Sequence, residues 1–274
     1  MQGQIIKIIS NLYTVKLDNE IIDCRARGKF RNDKITPIVG DYCIVDKDNN
    51  YILEILPRKN SLKRPVIANV DYALIVTSVK KPDLSLNLLD KLLSLSIMSN
   101  IKPIICLTKI DLLNADEKKE LNNIIKYYKK IGFKVVKNTD KLKLKLLLKN
   151  KLTVLGGQTG AGKSSLLNRL NKNLNLKTAE ISEALGRGKH TTRHVEVFKV
   201  GKMYIADTPG FSSLDLEEFT SEQIKTSFVE FKKYNCYFND CMHIKEKDCG
   251  VKEALNKKEI LKSRYDNYLN FINK

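Results

Sequence analysis

The sequence predicts a multidomain chain: an N-terminal all-β barrel, a central α/β domain and a small C-terminal α-helical domain that binds a metal. Short strand-like runs separated by turn residues fill the first 60 positions. Strands then alternate with helices around a glycine-rich loop, and cysteines and a histidine cluster among helical segments near the end. We therefore expect domain boundaries at 1–60, 61–216 and 217–274.

Composition narrows the class of partner. The chain carries 49 Lys and Arg against 31 Asp and Glu, a formal net charge of +18. Such a surface attracts polyanions, first nucleic acid and second an acidic membrane, without specifying a sequence. No export signal and no apolar run of the ~18 residues needed to span a bilayer are present. We expect a cytoplasmic protein, acting as a monomer, with no membrane partner.

The first domain consists of short candidate strands. They are Gln4–Ile9, Leu12–Leu17, Glu20–Arg25, Asp41–Asp46 and Tyr51–Leu56. A small antiparallel barrel fits them, and the oligonucleotide-binding (OB) fold is one candidate. One loop combines five cations with one aromatic ring, which is typical of RNA-binding segments. The candidate RNA-binding residues are Arg25, Arg27, Lys29, Phe30, Arg31 and Lys34.

The central domain alternates buried strands with helices, which predicts a sheet covered on both faces. The predicted strands are Asp71–Thr77, Ile101–Thr108, Phe133–Val136, Lys151–Gly156, Val195–Val200 and Met203–Asp207. The predicted helices are Leu86–Met98, Asp116–Lys130, Lys141–Leu148 and Lys163–Leu170. Beyond Thr220 we predict a helix over Ser221–Lys233 and one or two more over Lys252–Asn273.

A phosphate-binding loop follows the fourth of these strands. Its pattern is G-x-x-x-x-G-K-[ST], in which glycines let backbone N–H groups converge on a phosphate while a lysine adds charge. The serine hydroxyl after the lysine is a ligand for Mg²⁺. The candidate nucleotide-binding residues here are Gly157, Gln158, Thr159, Gly160, Ala161, Gly162, Lys163, Ser164 and Ser165.

A second phosphate-contacting segment follows the last predicted strand. Asp207 and Gly210 form D-x-x-G, an arrangement in which a carboxylate holds Mg²⁺ through water and a backbone N–H senses the γ-phosphate. Between the two segments, Thr191 and Thr192 both qualify to complete the Mg²⁺ shell, and we prefer Thr192. The alternative for this stretch is a basic solvated loop.

A third segment, which we call the base loop, is predicted to select the base of the nucleotide. It consists of Thr108, Lys109, Ile110 and Asp111. A carboxylate here accepts hydrogen bonds from guanine N1–H and the 2-amino group, a donor pair that adenine lacks. Its position before the phosphate loop reverses the usual order. Either the T-K-x-D match is accidental or the domain is circularly permuted, and the strand preceding Thr108 favours permutation.

The cluster near the C-terminus offers three thiolates and one imidazole. Cys236, Cys241, His243 and Cys249 are suited to a closed, tetrahedral, structural zinc site. Disulfide pairing would leave one of these cysteines over and would require an oxidising compartment. The other alternative is that these four residues are unrelated and form no metal site.

These features together resemble the ribosome small-subunit-dependent GTPase A (RsgA) family, and the resemblance covers essentially the whole chain. Its most telling stretches are Gly157–Asn168, Leu185–Val197, Asp207–Leu214 and Cys236–Cys249. It implies an OB-fold, a permuted GTPase domain and a zinc-binding helical domain. It also implies GTP hydrolysis stimulated by the 30S subunit, with that subunit and its 16S rRNA as partners.

The chain departs from the pattern at two places. Thr108 replaces the usual Asn, which predicts a weaker link between the base loop and the phosphate loop. Lys137-Asn138-Thr139 stands where a Ser-Ala motif is expected, which predicts lower guanine affinity or selectivity.

Catalytic residues are less evident than binding residues. The position after D-x-x-G, where many GTPases carry a water-orienting Gln, holds Phe211. We therefore expect slow hydrolysis without a partner, and His190 is the candidate for positioning water. Two other functions remain open: a GTP-switched rRNA-binding module with negligible catalysis, and a P-loop ATPase or kinase of another class.

Overall fold

The computed structural model describes residues 1–27, 30, 36–63, 65–170, 195, 197–206 and 215–273. The predicted order of barrel, α/β domain and helical domain with a cysteine cluster is confirmed. Each region is built from elements whose apolar residues recur with the period of that element.

The first five strands form a closed barrel in the order β1-β2-β3-β5-β4. They are β1 (Gln2–Ile9), β2 (Leu12–Lys16), β3 (Ile21–Ala26), β4 (Tyr42–Asp46) and β5 (Tyr51–Ile55). Alternate side chains such as Ile5, Val15 and Ile52 fill its interior, because successive residues of a strand face opposite sides. Among the pairings of these five strands, that of β3 with β5 is parallel, and β1 closes the barrel on β4.

A short hairpin that the sequence did not predict joins the barrel to the α/β domain. It consists of β6 (Ser61–Lys63) and β7 (Val66–Ala68). Arg58 reinforces this junction through an ion pair of 2.6 Å with Asp41, which is fully buried.

The central sheet has six strands in the order β10-β9-β8-β11-β13-β12. They are β8 (Tyr72–Ser78), β9 (Lys102–Thr108), β10 (Lys134–Lys137), β11 (Leu152–Gly156), β12 (Val197–Val200) and β13 (Met203–Ala206). All neighbouring pairs are parallel except β12 with β13. The carboxyl ends of the five parallel strands therefore meet at one edge, where loops form ligand sites.

Helices cover both faces of this sheet. They are α1 (Leu86–Met98), α2 (Ala115–Lys130), α3 (Lys141–Leu148) and α4 (Lys163–Leu170). Alternate side chains of β8 face two separate hydrophobic cores. Ile75 packs with α1 and α2, whereas Leu74 packs with α3 and α4.

The C-terminal part contains α5 (Ser221–Ser227), α6 (Gly250–Asn256) and α7 (Lys262–Ile272). The single helix predicted over Ser221–Lys233 is wrong in extent, because Phe228, fully buried with ψ of 74°, ends it. A 3₁₀ turn over Val229–Lys233 follows. None of the helices in the described part of the chain has the length and apolar character needed to cross a membrane.

A buried ionic cluster joins this part to the α/β domain. The Arg264 guanidinium of α7 lies 2.7 Å from Asp90 of α1 and 2.8 Å from Glu230 of the 3₁₀ turn, and none of the three is more than 1% exposed. Tyr128 and Asn267 donate further hydrogen bonds of 2.6 and 2.7 Å to Asp90. The guanidinium and these hydrogen bonds offset the cost of burying the two carboxylates, and they link the helical domain to α1.

Candidate active site

The phosphate loop, Gly157–Ser164, begins where β11 ends, as the sequence predicts. Gly157, Gly160 and Gly162 have φ values of +127°, +77° and +92°, which L side chains rarely adopt. A Cβ on Gly157 would lie 2.0 Å from the Val76 carbonyl oxygen, so the close approach of the loop to β8 requires glycine. Glycine therefore fixes the path of this loop.

Lys163 is the first residue of α4 and folds back over the loop. Its ammonium donates to the carbonyl oxygens of Gly157 and Gln158 at 2.8 and 2.9 Å. This geometry places a positive charge above the backbone N–H groups at the N-terminus of a helix, which is an anion-binding arrangement. Ser164 is buried behind the lysine, and Ser165 is exposed.

The base loop, Thr108–Asp111, follows β9 at the same edge of the sheet. The Thr108 hydroxyl donates a 2.6 Å hydrogen bond to the carbonyl oxygen of Ala161 in the phosphate loop. Thr108 thus links the base loop to the phosphate loop, at the position where the usual pattern has Asn and where the replacement predicted a weaker link. Lys109 has a φ of +59° and its ammonium donates to the carbonyl of Lys81.

Asp111 lies in a 3₁₀ turn over Ile110–Leu112, and it is exposed at the mouth of this edge. Because Thr108 is hydrogen-bonded to the phosphate loop, the base loop that carries this carboxylate lies beside the phosphate loop. A side chain that only accepts hydrogen bonds suits the adjacent donors of guanine. The geometry therefore supports a purine site open to solvent.

The segment Lys137–Thr139 lies beside the base loop at the end of β10. The Asn138 backbone amide donates a 2.9 Å hydrogen bond to the Leu107 carbonyl, which ties the two loops together. This segment therefore occupies the position expected for the Ser-Ala motif, with an amide and a hydroxyl side chain instead.

Several predicted residues lie outside the described part of the chain. They are His190, Thr191, Thr192, Asp207 and Gly210. The strand that precedes the D-x-x-G segment, β13, is parallel to β11 and ends at Ala206.

The four predicted metal ligands are brought together in the helical domain. Their ligand atoms lie within 4.8 Å of one another. His243 Nδ1 is 3.4–3.5 Å from each sulfur, and the Cys236 and Cys249 sulfurs are 3.8 Å apart. Tetrahedral zinc with Zn–S bonds of about 2.3 Å separates its sulfurs by roughly 3.8 Å, so the geometry fits such an ion.

Hydrogen bonds around the ligands fix the loop that carries them. Tyr265 donates a 2.6 Å hydrogen bond to the His243 carbonyl, and the Glu246 carboxylate accepts two bonds of 2.7 Å from the backbone amides of Met242 and Ile244. Burial raises the pKa of the Cys241 thiol to about 12. A divalent cation offsets that cost by stabilising the thiolate.

On the barrel, Arg25 and Arg27 are exposed as an RNA-binding surface requires, whereas Phe30 is 7% exposed and packs in the barrel core. Its ring is therefore a packing group. Lys29, Arg31 and Lys34 lie outside the described residues.

Two further exposed side chains, which the sequence did not single out, lie beside Arg25. Leu12 and Tyr51 are the cross-strand partners of Arg25 on β2 and β5, and both are exposed. Alternation along each strand indicated which residues face outward. No local sequence pattern predicts the pairing of β3 with β5, which brings Tyr51 beside Arg25.

Comparison with known proteins agrees with this geometry. Residues 55–217 match the family model of the RsgA GTPase, and residues 2–52 match that of the RsgA N-terminal domain. A relative from Oceanobacillus iheyensis, named small ribosomal subunit biogenesis GTPase RsgA 2, is 49% identical over 99% of this chain and 96% of its own length.

Two solved structures share the complete fold. YjeQ from Thermotoga maritima has a TM-score of 0.86 at 34% identity, covering 99% of this chain and 96% of that one. YloQ, described as a circularly permuted GTPase, has a TM-score of 0.85 at 36% identity, covering 99% and 93%. The order of base loop and phosphate loop is thus a permutation of the domain, and the chain belongs to the RsgA GTPase family.

Proposed function

We propose that this protein hydrolyses GTP during late maturation of the small (30S) ribosomal subunit, that the subunit stimulates hydrolysis, and that it acts in the cytoplasm as a monomer. The observation that carries the proposal is the hydrogen bond of Thr108 to Ala161, which joins a guanine-type base loop to a phosphate loop. Membership of the RsgA GTPase family and the names of its relatives support it.

In this proposal the residues of the phosphate loop bind and orient the triphosphate. Backbone N–H groups of Gly160 to Lys163 surround the β-phosphate, and the Lys163 ammonium exchanges its loop carbonyls for phosphate oxygens. Ser164 and Thr192 would hold Mg²⁺, with Asp207 supporting it through water, and the ion would supply charge neutralisation to the phosphates. The Gly210 amide senses the γ-phosphate.

Hydrolysis also requires a positioned water molecule. Phe211 has no polar group with which to orient it, so we propose that His190 does so when the subunit is bound. His190→Ala should then abolish the stimulation by 30S subunits while nucleotide affinity stays unchanged. Unchanged stimulated turnover would remove His190 from this role.

The cluster of three cysteines and His243 would hold one Zn²⁺, and four protein ligands support a structural role for the ion, because such a set leaves no position for substrate. Exposed Arg25 and Arg27, with Lys29, Arg31 and Lys34, are the proposed contacts to 16S rRNA on the barrel. Their charges attract phosphate and supply affinity without base recognition.

The test is turnover of GTP and ATP by the purified protein, with and without 30S subunits, at a stated salt concentration. Strong stimulation by 30S with GTP alone is the expected result. Equal use of ATP, or no effect of the subunit on turnover or binding, would overturn the proposal.

Phe211 favours one second candidate, a GTP-switched rRNA-binding module with negligible catalysis. In that case GTP would tighten binding to 30S subunits, and multiple turnover would not occur. The same assay, run with a parallel measurement of 30S binding, separates the two functions.

A further inference from the structure

The loop that carries the metal ligands also exposes two aromatic rings that the nucleotide site does not use. Tyr237 is 78% exposed and Phe238 is 48% exposed, and both lie between the ligands Cys236 and Cys241. Their rings meet edge to face, with centroids 5.0 Å apart and planes at 83°. Aromatic side chains that stay exposed to water gain none of the free energy of burying their apolar area. An adjacent exposed pair therefore indicates an interaction surface.

A cleft of about 440 Å³ opens beside this pair. Phe238 lines it together with Asn235, Asn239 and Lys232, whereas Lys225, also in the lining, is paired with Glu222 at 2.8 Å. The metal ligands Cys236, Cys241 and His243 line the same cleft. An aromatic wall, amide donors and acceptors, and cations are the three groups that recognise the face, the edge and the phosphate of a nucleotide.

The fold holds this surface in place. The backbone amide of Tyr237 donates a 3.1 Å hydrogen bond to the Asp248 carbonyl, and the flanking ligand Cys236 fixes the start of the segment. Loops that present aromatic rings without such anchors must be ordered on binding, at an entropic cost. Here the metal cluster supplies the order beforehand.

We propose that the Tyr237–Phe238 pair is a stacking site for an unpaired base of RNA, with the phosphate next to Lys232. Single-stranded RNA is the occupant that the chemistry favours, because the net charge of +18 attracts polyanions and every base offers a π-face. A duplex buries its base faces and does not fit. This site rests on the proposed function only in assigning the RNA to the small subunit.

The composition of the chain permits a direct test. It contains no tryptophan, so Tyr237→Trp introduces a single tryptophan at the site, whose emission can be excited selectively over that of the tyrosines and is quenched when a base stacks on it. The matched control is Leu142→Trp on α3, where Leu142 is 73% exposed and is flanked by lysines. The probes are a single-stranded RNA of about ten nucleotides, the same sequence as a duplex, and intact 30S subunits.

We expect single-stranded RNA and 30S subunits to quench the emission of the Tyr237→Trp variant and the duplex to leave it unchanged. The emission of the Leu142→Trp variant should stay constant with all three probes. The double variant Tyr237→Ala, Phe238→Ala should bind the single strand about ten-fold more weakly and keep its full metal content. Tyr237→Phe should bind as the wild type does.

Equal quenching of both tryptophan variants would mean non-specific attraction to lysines and would overturn the proposal. Quenching by 30S subunits but not by the single strand would mean that the pair recognises a feature of the assembled subunit and not an unpaired base, and would also overturn it. GTP turnover measured in parallel distinguishes failure of this stacking site from failure of the proposed function. GTP hydrolysis stimulated by 30S, without quenching of the Tyr237→Trp variant, defeats only this site, whereas loss of stimulation in the wild type defeats the proposed function.

Discussion

Thr108 Oγ1 donates a 2.6 Å hydrogen bond to the carbonyl oxygen of Ala161, which joins two loops that are far apart in the sequence. No short segment of the chain connects the base loop to the phosphate loop, because Thr108 and Ala161 lie 53 positions apart. This side chain supplies that connection inside a buried environment, where a lost hydrogen bond leaves a carbonyl unsatisfied.

Removal of that hydroxyl should weaken nucleotide binding. Thr108→Val leaves the volume nearly unchanged and deletes a bond whose net contribution is about 1 kcal/mol, so GDP affinity measured by calorimetry should fall about five-fold. Thr108→Ser, which keeps the hydroxyl, is the control. Equal GDP affinities for these two variants would show that the bond does not set the loop spacing.

A substitution at Gly157 tests whether the close approach of the phosphate loop to β8 requires glycine. An alanine methyl group there would lie 2.0 Å from the Val76 carbonyl oxygen, so Gly157→Ala should abolish GDP binding and lower the melting temperature. Gly132 is a matched control, because it has a φ of +106° but nothing within 4 Å of the added carbon. Gly132→Ala should cost about 1 kcal/mol of stability from backbone strain and leave nucleotide affinity unchanged.

Arg264 is predicted to hold the helical domain on the α/β domain. Arg264→Met leaves Asp90 and Glu230 buried without their cation, and loss of one partner from a buried ion pair costs about 3–5 kcal/mol of unfolding free energy. Chemical denaturation measures this loss. Lys257→Met, which breaks the exposed pair with Glu253, is the control and should change little.

The same variant has a definite pH dependence. Burial already raises the pKa of Asp90, and the charge of Arg264 opposes that shift. Without the arginine the folded state binds a proton more tightly than the unfolded state, so stability of the variant should rise, relative to wild type, as pH falls from neutral. If the variant is less stable than wild type by an amount that stays constant or grows at acidic pH, the ion pair between Arg264 and a charged Asp90 is contradicted.

Metal content is the next measurable quantity. The purified chain should hold one zinc ion, and Cys249→Ser should lose it and unfold the helical domain at a lower temperature. Cys24→Ala, which alters a thiol buried in the barrel, should retain the ion. Full metal content in the Cys249→Ser variant would mean that the cluster is not the site.

The sequence predicted those features that local patterns encode. Every barrel strand lies within two residues of its predicted bounds at each end, and α1, α3 and α4 begin and end where the periodicity indicates. The phosphate loop and the metal ligands were identifiable because their spacing is dictated by a ligand.

Features that depend on distant contacts were not predictable. Nothing in the sequence distinguishes Arg264 from a surface cation, and only the packing of α7 on α1 buries it against Asp90. Phe30 was assigned to RNA binding from the charges beside it, but it lies in the barrel core. The break at Phe228 likewise arises from burial of its ring against Tyr268, with centroids 5.1 Å apart.

The central claim, that Asp111 selects guanine in a permuted domain, is tested most directly by Asp111→Asn. The variant should bind GTP about ten-fold more weakly or worse, because the amide places a donor against the guanine 2-amino group, and it should gain affinity for XTP, whose 2-oxo group accepts that donor. Competition binding with GTP, XTP and ATP gives the result in one assay. Unchanged GTP affinity, with no gain for XTP, would contradict the assignment of the base loop and the permuted site with it.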